Sequence, residues 1–471
     1  MKTIEKFKNF FRDRETRITF YVFLVVCLFP IALLFNDNLW FDETYTAALI
    51  KHPYGEIIAL VKTDMHPPFY FLALKTFCGV FGYTAFASKL FSCIGYAATL
   101  VLGVTFVRGK FGNGFARTFI IAFAAVPPSL LFATQQRSYS WCIFFITLGF
   151  LCGYLFMKER SVRYLAVCFA CGLVACYTHL YALLNFFLIF GFVNMYILIR
   201  ERRDFYKVLI ADALFVCGYI PWIIPLFKQV KDAGETFWLG SADTLSVVVF
   251  AVSCAIYGVF ALKKENRNLG LLYAAVCAIG FQTIALFVTI AIRPFYIARY
   301  CIMNLGIFAF SFANGLGGFE VKIRKISVCA LSALLVVSFA VILPFEYNGE
   351  MKKFVNDFKA EYGEEQTFVA ADTSFGMMSY YFPDGKHYEM NYLPWYKVFS
   401  NVEELSEEDF LNGKLSEISE TEGGFSGKIW FTKEAAHKIP SVILRNFDAE
   451  LKYSFRCDFI VIEVYLLDIK I

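Results

Sequence analysis

Two adjacent carboxylates, Asp42 and Glu43, follow the first long apolar segment of this 471-residue chain. They stand between Trp40 and Tyr45, and such amphipathic aromatic side chains favour the boundary between an apolar phase and water. A partly buried carboxylate at such a boundary suits the work of a general base. The same sequence also fits a hydrated loop acid that lies beside an interfacial tryptophan, so both interpretations stay open at this point.

A second polar group places an acid and an imidazole beside two prolines, in the segment Asp64-Met65-His66-Pro67-Pro68. Prolines end one helix and begin the next, which fixes the backbone around Asp64 and His66. The pattern predicts residues that shape a site, although a Pro-Pro pair also serves as a simple turn.

Basic and aromatic residues cluster at the ends of three further apolar runs. These residues are Arg137 with Tyr139, His179 with Tyr181, and Arg293 with Arg299 and Tyr300. A guanidinium matches phosphate with two parallel hydrogen bonds, so the arginines predict an anion site. In the alternative interpretation they reach lipid headgroups or pair with acids of a nearby loop.

Histidines and acids together supply residue types that bind metals. His52, His66 and His179 lie near the acids of the first loop in the predicted topology, but no tight ligand spacing such as His-Glu-x-x-His occurs. We therefore expect that no cofactor is required, with a divalent metal as the alternative.

The elements that must position these residues have the composition of membrane helices. Hydrophobic residues make up 58% of the chain and charged residues 18%, whereas soluble proteins carry about 25% charged residues. The net charge of +4 gives no indication of a nucleic-acid partner. A membrane-spanning helix needs about 20 apolar residues. Candidate runs are 17–35, 84–107, 115–134, 139–157, 164–180, 181–199, 206–226, 243–262, 269–291, 300–318 and 326–344.

A short apolar run at 67–81, with Lys75 in its middle, decides the topology. If this run does not cross, every basic loop cluster falls on the same side as the basic N-terminus, as the positive-inside rule requires. The sequence therefore predicts about eleven spans and a cytoplasmic N-terminus. It also predicts a long external catalytic loop at 36–83 that contains interfacial helices.

The polar tail predicts a separate domain. We divide the chain into a transmembrane domain, 1–344, and a small extracytoplasmic α/β domain, 345–471. Within the tail the patterns predict a helix at 351–362 and strands at 367–371, 428–432 and 458–466.

The ordered motifs resemble those of a known class of enzymes. Trp40-Phe41-Asp42-Glu43 after the first span, followed by Asp64-x-His66-Pro-Pro-Phe-Tyr, is similar to the first external loop of GT-C membrane glycosyltransferases. The bacterial branch related to protein O-mannosyltransferases and lipid A aminoarabinose transferases is the most similar group. Its resemblance extends over roughly residues 15–320, through the segments around Arg137, His179 and Arg299.

This resemblance implies a GT-C fold and an inverting transfer of a sugar on the outer face of a cell membrane. The implied donor is a polyprenyl-phosphate-linked sugar, and the implied acceptor is a hydroxyl of a protein, a lipid or a cell-wall polymer. In such enzymes the first acid of the pair is the base, and the matching residue here is Asp42. Arginines bind the leaving lipid phosphate in these enzymes, and the matching candidates are Arg137 and Arg299. The role of Glu43 stays open.

Two other functions fit a chain of this composition. A transporter or flippase of lipid-linked sugars would be expected to carry polar residues along its spans, whereas charge here gathers at span ends. A membrane scaffold presenting the acidic tail would leave Asp42, Arg137 and Arg299 replaceable.

Overall fold

The computed structural model describes residues 13–63, 66–236, 244–292, 296–390, 394–406, 409, 428–457 and 460–469. Among these residues, eight helices are long and apolar enough to cross a membrane. Their number and the small C-terminal sheet confirm the predicted fold class, a helical multi-pass membrane protein with an α/β domain.

Most of the helices up to residue 346 lie in the predicted apolar runs, and α2 and α3 lie in the predicted external loop. In chain order they are α1 Arg14–Leu33, α2 Phe41–Leu49, α3 Tyr54–Val61, α4 Phe69–Phe81, α5 Ala85–Leu102, α6 Arg108–Phe111, α7 Asn113–Ala125, α8 Pro127–Leu131, α9 Tyr139–Glu159, α10 Val162–Cys176, α11 Tyr181–Arg200, α12 Phe205–Thr236, α13 Thr244–Leu262, α14 Leu269–Ala291, α15 Leu305–Leu316 and α16 Val321–Glu346.

Three predicted spans are represented by helices shorter than the others. The run 115–134 breaks between α7 and α8, because Val126 precedes two prolines and takes an extended conformation. The run 164–180 is helical only as α10, and the run 300–318 begins as a 3₁₀ turn before α15. Helix α4 has 13 residues, fewer than the roughly 20 that a span needs.

By its internal contacts the chain forms two compact units. The first unit comprises Met1–Phe35, Met65–Tyr70 and Lys89–Ile342. The second comprises Asn36–Asp64, Phe71–Ser88 and Leu343–Ile471, so most of the first loop groups with the tail.

Close packing of small residues fixes three helices of the first unit. A Cβ at Gly149 of α9 would lie 2.7 Å from the ring of Phe186 in α11, and one at Gly172 of α10 would lie 2.8 Å from the same ring. Glycine at both positions therefore lets α9 and α10 close around Phe186, as is usual between membrane helices. This packing fixes the turn at 177–180 that joins α10 to α11.

Among its described residues, the tail of the second unit contains a mixed sheet and three α-helices. These elements are α17 Glu350–Tyr362, β1 Thr367–Ala370, α18 Ser374–Tyr381, β2 Lys386–Glu389, β3 Val402–Glu404, β4 Ile429–Glu434, α19 Ser441–Asn446, β5 Phe447–Cys457 and β6 Ile460–Ile469. The strand order is β3-β2-β1-β4-β6-β5. The first four are parallel, and the β5–β6 hairpin adds to β4 in the antiparallel direction.

Apolar side chains of the sheet form the core of this domain. Val369 and Phe431 are fully buried on the central strands, and Ile443 of α19 covers one face. The predicted helix and three predicted strands all occur, as α17, β1, β4 and β6.

The first loop joins the tail through aromatic contacts within the second unit. The ring of Phe41, at the start of α2, lies 5.7 Å from the ring of Phe375 and 6.5 Å from that of Phe399. The hydroxyl of Tyr381 accepts a hydrogen bond from the Leu39 N–H at 2.8 Å. These contacts hold the segment that carries the acidic pair.

Candidate functional site

A buried histidine, His179, stands at the centre of a polar cluster in the first unit. It lies in the turn between α10 and α11 and is 3% exposed. Its ring is 5.6 Å from His66, 5.7 Å from Tyr139 and 5.9 Å from Tyr300, measured between ring centroids. Residues far apart in the sequence thus meet at one place.

Backbone contacts bring the His-Pro-Pro segment to this turn. The N–H of Phe69, at the start of α4, donates to the carbonyl of Tyr177 at 2.9 Å. The two prolines before Phe69 stiffen the preceding backbone, which orients His66 toward His179. The predicted role of this segment, to shape a site, stays a prediction.

Arg137 enters the cluster from the turn between α8 and α9. It is 6% exposed, and its Nη2 donates to Nε2 of His66 at 3.0 Å. A guanidinium has no acceptor, so Nε2 of His66 accepts in this contact. The Arg137 carbonyl in turn accepts a hydrogen bond from Ser92 of α5 at 3.5 Å.

Arg299 and Tyr300 arrive on the 3₁₀ turn before α15. The guanidinium carbon of Arg299 is 5.6 Å from the Tyr300 ring, within the range of a cation–π contact. Tyr300 also stacks on Tyr181 with ring centroids 4.2 Å apart and an interplanar angle of 22°. We call His66, Arg137, Tyr139, His179, Tyr181, Arg299 and Tyr300 the histidine–arginine cluster.

One donor of this cluster points into buried space. Nδ1 of His179 accepts from the Tyr181 N–H at 3.2 Å, so the neutral ring carries its proton on Nε2. Nε2 is buried and has no hydrogen-bond partner among the described residues. Burial lowers the pKa of His179 well below its ordinary value, and its neighbours His66, Arg137 and Arg299 lower it further. His179 is therefore a neutral N–H donor beside two arginines.

The acidic pair belongs to the second unit, in the first turn of α2. Glu43 is 2% exposed, whereas Asp42 is half-buried. Carboxylates in a first turn are stabilised by the positive end of the helix dipole. Glu43 contributes to raising the pKa of Tyr380 and Tyr381, for which burial is the main cause.

The structure thus assigns the predicted residues to two groups. Asp42 and Glu43 lie in the second unit, and the seven residues of the histidine–arginine cluster lie in the first. Two further predicted residues, Asp64 and Arg293, lie outside the described residues. Within the described part of the chain, no group of three or more His, Cys, Asp or Glu side chains is arranged to hold a metal ion.

Sequence reasoning missed polar residues in both units. Lys89 on α5 is 1% exposed. A single lysine in an apolar run is costly to bury, and this pattern in the sequence indicates a residue with a functional role. Asp372, Glu434 and His437 gather at one edge of the tail sheet, where strand register alone brings them together.

The apolar helices and the overall fold define a multi-pass membrane protein of the GT-C class of folds. The structure resembles the crystal structure of ArnT from Cupriavidus metallidurans in the apo state, with a TM-score of 0.66 and 12% identity, over 95% of this chain and 97% of that one. It also resembles ArnT from the same organism bound to undecaprenyl phosphate, with a TM-score of 0.62 and 13% identity over the same shares. No protein-family model and no curated protein sequence matches the chain. At these identities the likeness establishes the fold.

Proposed function

We propose that this protein is a glycosyltransferase that moves a sugar from a polyprenyl-phosphate-linked donor to an acceptor hydroxyl. The observation that carries the proposal is the histidine–arginine cluster, in which a buried N–H of His179 lacks a described partner beside Arg137 and Arg299. Three fixed donors in a buried setting suit an anion that gains charge during a reaction.

The leaving group of the proposed reaction is such an anion. When the bond between the anomeric carbon and the phosphate oxygen breaks, the oxygen takes the electron pair. Preorganised donors stabilise this developing charge more strongly than water does, because they need no reorganisation. Arg137 and Arg299 supply charge-assisted hydrogen bonds, and His179 supplies a neutral one.

The membrane fold agrees with a lipid-linked donor. One of the similar ArnT structures holds undecaprenyl phosphate, a polyprenyl phosphate of the kind that such a transfer releases. Aromatic faces in the cluster, the Tyr181–Tyr300 stack among them, offer apolar contact beside the charged donors.

Asp42 is the proposed base. It is half-buried, which excludes part of the competing water, and it stands in a helix turn rather than in a free loop. Its carboxylate would take the acceptor proton while the acceptor oxygen attacks the anomeric carbon with inversion. We further propose a cytoplasmic N-terminus and transfer on the outer face, because this orientation obeys the positive-inside rule.

Binding of undecaprenyl phosphate tests the donor half of the proposal without knowledge of the sugar. We expect the purified protein in lipid nanodiscs to bind it, and Arg137→Gln to lower the affinity about tenfold or more through loss of a charge-assisted bond. Arg137→Lys should recover only part of the affinity, because an ammonium lacks the planar fork.

Arg117→Gln is the matched control, since Arg117 pairs with Glu15 at 2.7 Å and belongs to no part of the cluster. Equal affinities for wild type, Arg137→Gln and Arg117→Gln would exclude the cluster as the phosphate site. Movement of a lipid-linked sugar across the bilayer without a new glycoside would favour the flippase instead.

A further inference from the structure

An apolar groove lies in the first unit between the ends of α13 and α15 and the first half of α16. Its volume is about 360 Å³, within the range of about 300–1,000 Å³ that is usual for ligand sites. We call this space, which is lined by Val259, Phe260, Leu316, Phe319, Ile323 and Leu334 among others, the α16 groove. Phe260 and Leu316 are buried, whereas Val259 and Leu334 are exposed. The groove is therefore open along its edges to the surroundings of the helices, which for membrane spans are lipid.

Two glycines near the end of α15 fix the inner wall of the groove. A Cβ at Gly315 would lie 2.4 Å from the ring of Phe260, and one at Gly318 would lie 2.4 Å from Oδ1 of Asn266. Glycine at both positions therefore lets α13 and the turn after it approach α15 closely. Asn266 is 2% exposed, and its Nδ2 donates to the Gly315 carbonyl at 2.5 Å. This hydrogen bond fixes the turn that begins at Lys263.

The ammonium group of Lys263 lies at one end of the α16 groove. Its Nζ is 5.3 Å from the centroid of the Phe319 ring, which lines the groove, and this distance is within the range of a cation–π contact. Lys263 is exposed, and among the described residues no acid pairs with it. Its charge is therefore available to an anionic group at this end of the groove.

Further basic side chains belong to the two segments that form this end of the groove, the turn after α13 and the start of α16. They are Lys264, Arg267, Lys322, Arg324 and Lys325, and all five are exposed. Ile323, which stands between two of them, lines the groove. With Lys263 they make six basic side chains against two acidic ones, Glu265 and Glu320. An excess of positive charge beside an apolar groove suits a molecule with an anionic head and an apolar chain.

The basic residues taken alone have a simpler explanation, because lysines and arginines concentrate in the loops on one side of a membrane protein. Lys263 also follows the C-terminus of α13, where a cation stabilises the helix dipole. Neither effect accounts for an apolar groove of ligand size whose end carries a lysine held against a lining ring. Basic pockets between membrane helices do bind the headgroups of anionic phospholipids.

We propose that the α16 groove binds one anionic phospholipid, with an acyl chain along the groove and the phosphate group at Lys263. This site is separate from the proposed donor site. Helix α15 directly follows the 3₁₀ turn that carries Arg299 and Tyr300, and the groove lies at the opposite end of this helix. Its 12 residues extend over about 18 Å, at about 1.5 Å per residue. A phosphate at the histidine–arginine cluster and one at Lys263 therefore occupy different places, and the inference does not depend on the proposed function.

Native mass spectrometry of the purified full-length protein in detergent tests this site, because it counts bound lipid molecules during a titration. The probes are dioleoyl phosphatidylglycerol, which is anionic, and dioleoyl phosphatidylcholine, which has the same chains and no net charge. We expect the first molecule of phosphatidylglycerol to bind about tenfold more tightly than the first of phosphatidylcholine. Lys263→Gln should lower the affinity for phosphatidylglycerol about fivefold and leave that for phosphatidylcholine unchanged. Lys158→Gln is the matched control and should bind as wild type does, because the Lys158 ammonium lies 5.9 Å from the Tyr154 ring, outside the groove.

A second pair of variants tests the groove without changing its charge. Ala330 of α16 lines the groove and is exposed, so Ala330→Trp places an indole ring in the groove and not in a packed core. This variant should lose the tight binding of phosphatidylglycerol. Cys329→Trp is the matched control and should keep it, because Cys329 is exposed on the same helix and does not line the groove. The melting temperatures of both variants verify that they are folded.

Three results would overturn the proposed site. Equal affinities of the wild-type protein for the two lipids, or an equal loss in Lys158→Gln and Lys263→Gln, would show that no anionic headgroup is bound at Lys263. Tight binding of phosphatidylglycerol by folded Ala330→Trp would exclude the groove. Tighter binding of undecaprenyl phosphate than of phosphatidylglycerol, if lost in Ala330→Trp, would assign the groove to a polyprenyl chain instead. None of these results involves Asp42, Arg137 or Arg299, so each leaves the proposed sugar transfer intact.

Discussion

Replacement of His179 by phenylalanine separates a ligand-binding role from a structural one. The substitution keeps a flat ring among His66, Tyr139 and Tyr300 but removes both ring nitrogens. It leaves the buried Tyr181 N–H without its acceptor, which costs about 1–3 kcal/mol. It also deletes a buried N–H that has no described partner, which relieves a desolvation penalty of about 1–3 kcal/mol.

Stability and ligand affinity should therefore respond differently. The free energy of unfolding of the ligand-free protein should change little, because the two effects oppose each other and have similar magnitudes. Affinity for undecaprenyl phosphate should fall about 10- to 100-fold, because a hydrogen bond to a charged group is worth about 1.5–3 kcal/mol. Thermal unfolding and equilibrium binding in the same detergent measure the two quantities.

A second buried histidine provides the control. His387 lies in the tail, where its Nε2 donates to the Phe382 carbonyl at 2.8 Å and its ring stacks on Phe368. Its Nδ1 is also buried and has no hydrogen-bond partner among the described residues, so His387→Phe should change the stability as little as His179→Phe does and leave the affinity unchanged. If His179→Phe left binding intact, as His387→Phe should, the cluster would be structural and the reasoning refuted.

Four further predictions follow from the same contacts. Asp42→Asn should abolish sugar transfer and leave the binding of undecaprenyl phosphate intact. Kinetic and binding assays on one preparation measure the two properties. Loss of binding as well would place Asp42 in the donor site instead. Gly376→Ala should destabilise the protein by about 1–3 kcal/mol, since the added methyl overlaps the Phe41 ring, and a wild-type melting temperature would contradict this close approach. Burial lowers the pKa of His387 to about 4, so the unfolded chain takes up a proton first as the pH falls below about 6.5. The free energy of unfolding should therefore decrease as the pH falls from about 6.5 to about 4. His387→Phe should flatten this dependence of stability on pH, and an equal dependence in both proteins would contradict the prediction. In a cysteine-free background, a membrane-impermeant reagent should label Ser400→Cys from outside but not Lys110→Cys, and labelling at 110 would reverse the proposed topology.

The sequence could predict the residues of the histidine–arginine cluster individually, because ionisable side chains at the ends of apolar runs are costly and stand out. Arg137, His179 and Arg299 were all identified in this way. The spacing of these residues along the sequence does not predict that they meet in the folded protein. It depends on tertiary packing, in which Gly149 and Gly172 close around Phe186 and fix the turn that holds His179.

Secondary structure was predictable where segments are long and periodic. The helices of the spans and the strands β1, β4 and β6 follow from their apolar patterns. Strands β2 and β3 were missed because they have four and three residues, too few to show a period. The break between α7 and α8 was marked by Pro127 and Pro128, but length alone suggested one continuous span.

The contacts among Asp372, Glu434 and His437 could not be predicted from the sequence. Asp372 is more than 60 residues from the other two in the chain, and no motif includes all three. The parallel register of β1 and β4 brings the ends of these strands together.

Mass spectrometry of cell-surface glycans and glycolipids tests the proposed sugar transfer most directly. Three strains suffice: one with the wild-type protein, one with Asp42→Asn at equal abundance, and one without the protein. The proposed function predicts a surface molecule that carries one additional sugar in the wild-type strain alone. Identical surface glycans and glycolipids in all three strains would contradict it.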